Sequence, residues 1–125
     1  MKRMFGLLLL AAAVVFGSVA SRAHHSFSAT YFEDKEQTVE GDLAQFMYRN
    51  PHSFVHIVDK AGVRWAVEWG GGGQLSRQGV SRDTLKYGDH VIIMGSPGRN
   101  PDDHRLRMKT IFRPKDGWKW GGVVE

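Results

Sequence analysis

Between residues 37 and 113 the chain is cut into short apolar runs by clusters of glycine, proline, asparagine and aspartate, and none carries a helical stripe long enough to build a bundle. That leaves a small all-β domain. Residues 37–48 predict a long first strand, with Val39, Leu43 and Met47 on one phase around Gly41, and Phe46 and Tyr48 on the other. The phase change near Ala44 predicts a bulge. Pro51 has no N–H and restricts Asn50 to extended conformations, so residues 49–52 form a turn.

A hairpin follows, with strands over 53–58 and 63–69 and a turn at 59–62. In its second strand Trp65, Val67 and Trp69 alternate with Arg64, Ala66 and Glu68, which assigns the first three to the core and the others to solvent. Short helical turns are expected over 74–78 and 82–85, then strands over 90–96 and 105–112 around a polar loop. Five strands with a short helix between the third and fourth is the order of an OB-like barrel, with a small β-sandwich as the alternative. The expected core is Val39, Leu43, Phe54, Trp65, Val67, Val91, Ile93 and Ile111. The β domain is placed at 37–113, behind an arm at 24–36 and ahead of a Gly/Trp-rich tail at 114–125.

The first 23 residues have the three parts of a secretory signal. Lys2 and Arg3 form its charged start, residues 7–16 its apolar run, and Ser21 and Ala23 the small residues of a cleavage site. A second register cuts after Ala20. An apolar run of about ten residues is short of the roughly 20 that a spanning helix needs, so no stable membrane span is expected after processing, and the protein is expected in the periplasm or secreted.

Of 125 residues, 102 then remain, enough for one modest core. Processing removes Lys2, Arg3 and Arg22 from 17 basic residues set against 13 acids, which brings the formal charge to about +1. No long basic run is left to follow a phosphate backbone, so nucleic acid is not an expected partner. The chain has no cysteine, which excludes disulfides, thiolate metal sites and thiol nucleophiles. A monomer or weak dimer that folds without metal is expected.

Ala-His-His-Ser-Phe at 23–27, Asn-Pro-His at 50–52, the Trp-containing strand at 63–69, Leu75 with Gly79, Gly88-Asp89-x-Val91 and Gly95-x-Pro97 occur in that order. The combination resembles a family of small exported bacterial proteins classed as a domain of unknown function. The resemblance covers essentially the whole processed chain and implies a periplasmic, OB-like domain, with no activity, substrate or catalytic residue attached. The glycines at 70–73 and the Trp-rich tail depart from the pattern.

Cleavage after Ala23 would make His24 the first residue, and an α-amine beside an imidazole chelates divalent metal, copper above all. His24, His25 and His52 are therefore the candidate metal ligands. His52 and His56 have the spacing of a helical zinc-protease pair, but Ser53 stands where that motif needs Glu. On a strand, positions four apart are roughly 13 Å from each other. The four glycines lack the Gly-Lys-Ser/Thr ending of a phosphate loop and are expected to be a turn. Trp118 and Trp120 are a candidate ligand surface. No serine sits in a nucleophile elbow, Glu33, Asp34 and Glu36 form a solvated acidic segment, and no catalytic residue is assigned. The expected function is a non-enzymatic exported binding domain, with copper or another divalent metal at its new terminus. The alternatives are an envelope module binding a protein, glycan or small ligand through a barrel face and the aromatic tail, and a redox enzyme using the same copper.

Overall fold

A computed structural model describes residues 27–122. The chain divides into two units, Met1–Thr30 and Tyr31–Glu125, and residues 27–30 of the first are helical. In the second, six strands follow in chain order: β1 (Gln37–Met47), β2 (Phe54–Val58), β3 (Arg64–Glu68), β4 (His90–Pro97), β5 (Arg105–Arg113) and β6 (Trp118–Gly121). A short helix, α1 (Gly72–Arg77), lies between β3 and β4. No described helix is long and apolar enough to cross a membrane.

The first four strands are hydrogen-bonded in the order β3-β2-β1-β4, all antiparallel. β5 then joins both edges, antiparallel to β4 and parallel to β3. The result is a closed five-stranded OB-like barrel, as the alternation predicts. The expected bulge is present as a register shift between Leu43 and Gln45 in β1. It keeps Val39, Gly41 and Leu43 buried while releasing the strand's second half to a different phase. Gly41 sits where the coiled strand passes closest to β2, and a Cβ there would run into the Val58 carbonyl oxygen.

The core joins Val39, Leu43, Val55, Ile57, Val67, Val91, Ile93, Leu106 and Ile111 inside the barrel, and Leu75, Val80 and Leu85 belong to the same cluster. Two expected core residues differ. Phe54 is only half-buried because β2 turns Val55 and Ile57 inward, and Trp65 is half-buried with its indole N–H donating to Asp59 Oδ2 at 3.0 Å. Residues 82–85 form a turn rather than a helix: the Ser81 N–H donates to Thr84 Oγ1 at 2.8 Å, a local bond that competes with helix formation. Residues 118–121, expected in the tail, form β6. It pairs with residues 110–113 of β5, whereas β3 pairs with 105–107 of the same strand.

Candidate functional site

The glycines at 70–73 follow β3 and start α1, and they exist for close approach rather than for phosphate. A Cβ on Gly71 would meet the Pro51 carbonyl oxygen and the Asn50 side chain, and one on Gly72 would press on the Tyr48 ring. The 49–53 turn, with a cis Asn50–Pro51 peptide, is thereby clamped onto the end of β3. The Ser53 N–H donates to Gly70 O at 3.0 Å, the Trp69 N–H donates to Ser53 O at 2.8 Å, and the Gly72 N–H donates to Arg49 O at 3.0 Å. This clamp fixes His52 beside Glu68.

Glu68 is the centre of the site. Period-two alternation places it outward with Arg64 and Ala66, yet it is only 8% exposed. The cover comes from the arm: Tyr31, 1% exposed, bridges to Gly98, and the Phe32 N–H donates to Pro97 O at 2.9 Å. Tyr31 donates its phenolic proton to Glu68 Oε2 at 2.5 Å, and His52 donates from Nδ1 to Oε1 at 2.6 Å. Arg105 approaches Oε2 at 3.7 Å and donates to the Tyr31 hydroxyl at 3.2 Å. Both carboxylate oxygens are thus engaged, as a buried charge requires. Burial, then the hydrogen bond and charge of Glu68, push the Tyr31 phenol well above the ordinary tyrosine range. It stays protonated and acts as a donor.

Beside this cluster, an open depression of about 510 Å³ on the outer face of β1, β2 and β3 is lined by Met47, Arg49, Phe54, His56, Ala66 and Arg105. His56 lies half-buried on the outer face of β2, between the inward-facing Val55 and Ile57. Arg64 Nε donates to its Nδ1 at 3.1 Å, so its ring proton is on Nε2. Burial, then the charges of Arg64 and Arg49, hold its pKa below the ordinary histidine value.

His24 and His25 lie outside the described residues. Among the described residues no group of three histidine and carboxylate side chains is placed to hold a metal ion. That includes the exposed cluster on β1 and β4, where His90 bonds Asp42 at 2.7 Å and Glu40 at 2.8 Å; those two bonds raise its pKa. Trp118 and Trp120 are half-buried on β6. Trp120 packs edge-on against Trp69 at 5.0 Å between centroids and donates to Gln78 at 3.2 Å, while the Arg113 guanidinium lies over Trp118 at 5.3 Å. Glu33 and Glu36 are exposed but paired, with Arg107 and Lys109 at 3.0 Å each.

Sequence reasoning finds His52 but misses Tyr31, Glu68 and Arg105. The available signal is a lone carboxylate in a strand between Val67 and Trp69, but its partners lie 16 to 37 positions away.

The model of a family of unknown function, DUF6152, matches residues 12–107. No curated protein matches the chain significantly.

Proposed function

Because this chain belongs to the DUF6152 family, which carries no assigned function, we propose its role from its own residues: an exported OB-barrel binding domain that takes up a divalent metal, copper first. In this reading the signal is removed after Ala23, the protein works in the periplasm or outside the cell, and the α-amine and imidazole of His24 chelate the metal. His52 supplies a further ligand, with His25 adjacent. The observation that supports it is the 2.6 Å bond from His52 Nδ1 to Glu68 Oε1. A carboxylate on one ring nitrogen fixes the tautomer and orientation of an imidazole that ligates through the other, and raises its basicity. Ligation by His52 would therefore use Nε2.

Copper titration of the chain starting at His24 tests this, against a version with one added Gly before His24 and against His52→Ala and Glu68→Gln. Both the added Gly and His52→Ala should weaken Cu(II) binding by more than about tenfold, and Glu68→Gln by about tenfold. Amine and imidazole must lose protons to ligate, so affinity should fall steadily toward about pH 5. Equal affinity of native and extended termini would remove the metal from the reading. The alternative, an envelope module binding a protein or glycan partner, is supported by the half-exposed Trp118 and Trp120 on β6. It predicts partner binding that is lost on Trp118→Ala and is indifferent to copper.

A further inference from the structure

The first half of β1 has a free edge. The Leu43 N–H donates to Asp89 O at 2.8 Å and the Leu43 carbonyl accepts from the Gly88 N–H at 2.9 Å, so both point toward the start of β4. Backbone direction alternates along a strand, so the polar groups of Gly41 and Val39, opposite Val91 and Ile93, point the same way. Those of Thr38, Glu40 and Asp42 therefore point toward β2. Yet β2 reaches only Val58, opposite Asp42, and there the hairpin turns away, the Asp59 N–H donating to Val63 O at 3.0 Å. Among the described residues no strand or loop pairs with Thr38 or Glu40 on that side.

The N–H and C=O groups of Thr38 and Glu40 thus stand in a row along residues 37–41, a stretch of roughly 17 Å. Beside them is a groove of about 660 Å³ between β1 and the hairpin turn, lined by Thr38, Glu40, Asp59, Lys60 and Trp65. An unpaired edge with room beside it is a template for a further strand.

The groove also selects what that strand carries. In antiparallel pairing the residues directly opposite Thr38 and Glu40 exchange the bonds, and their side chains lie on the outer face beside the exposed Glu40 and Asp42. The residue between them faces inward, toward Trp65, which shares the phase of Val67. The charged side chains of the groove are Glu40, Asp42 and Asp59 against Lys60 and His90. Lys60 lies in the hairpin turn, and the single imidazole of His90 is shared by Glu40 and Asp42, so this outer face keeps an excess of negative charge. Pairing the edge with a second copy of itself would set the Glu40 carboxylates of both chains on one face, which disfavours a dimer here.

We propose that the free edge of β1 at residues 37–41 takes an extended basic peptide segment of a partner protein as an added antiparallel strand, with lysine or arginine opposite Glu40 and an apolar residue facing Trp65. The proposal is independent of the metal reading and of the aromatic surface on β6, because none of His24, His52, Trp118 and Trp120 enters it.

The probe is the blocked pentapeptide Val-Lys-Val-Lys-Val, added without copper. It should protect the amides of Thr38 and Glu40 from hydrogen exchange and shift the Trp65 indole NMR signal in a saturable way, leaving the β4-paired amides of Val39 and Gly41 as they were. N-methylation of its two lysine amides, which face β1, should abolish binding, whereas N-methylation of the central valine should be tolerated. The glutamate analogue, at matched ionic strength, should bind about threefold to tenfold more weakly, and Glu40→Lys should reverse that preference. Thr38→Pro removes one donor from the free edge without touching the bonds to β4 and should weaken binding severalfold. Thr38 and Glu40 are exposed, so thermal midpoints check that these variants are folded. Equal binding of the lysine and glutamate peptides, indifference to lysine N-methylation, Thr38 and Glu40 amides left unprotected, or a peptide-free dimer paired through this edge would each overturn the proposal.

Discussion

Single residues in this protein matter most where a charge has been taken out of water. Asp89, 6% exposed, receives Arg113 Nη1 and Lys115 Nζ at 2.8 Å each and the Lys86 N–H at 3.0 Å. Burial pushes its carboxyl up, but the bonds from Lys115, the Lys86 amide and Arg113 together outweigh it and hold the pKa down to about 2. A carboxyl depressed on folding stabilises above its unfolded pKa of about 3.9, and that contribution is lost as pH falls through about 2. Asp89→Asn should therefore cost about 2 kcal/mol at pH 7, and the gap from the parent should close between about pH 4 and pH 2. Urea unfolding at several pH values measures this, and a pH-independent gap would mean that Asn fails for packing reasons. Glu68 is also a buried acid with both oxygens engaged, but it cannot be found by inspection of its own strand. Alternation describes one sheet, and the residue that buries Glu68 arrives from an arm 37 positions earlier.

Among elements, β1 sets the barrel. It is the longest strand, it pairs with both β2 and β4, and its bulge lets one strand serve two directions of the sheet. Gly41→Ala would put a methyl group into the Val58 carbonyl, which rigid backbone pairing cannot move aside cheaply. It should cost about 2–3 kcal/mol or more, read as a lower thermal midpoint, whereas Gly62→Ala, with open space around it but positive φ, should cost only about 1 kcal/mol. β1, its bulge, the hairpin and the strand order were legible in the sequence because apolar periodicity and glycine placement are local. β6 was not: Trp118-Lys119-Trp120 has only four residues and gains strand geometry by pairing with β5. Phe54 falls outside the core because β2 turns Val55 and Ile57 inward, whereas Trp65, on the phase of Val67, packs against the core but stays half-buried with its indole N–H held by Asp59.

At the scale of the molecule, closure depends on β5. Its first half holds β3 and its second half holds β6, while its other edge runs along β4. A chain ending at His104 keeps the β3-β2-β1-β4 meander but should show no cooperative unfolding transition and should be digested rapidly by protease. Retention of a two-state transition would show that the meander is stable alone. This dependence also has a meaning in time. A polypeptide made from its amino end must complete residue 113 before the first strands can enclose anything. Until then β3 and β4 remain open edges that invite pairing with other chains. The late arrival of the closing strand keeps the barrel open until residue 113 has been made, and leaves it most in need of protection just before that point.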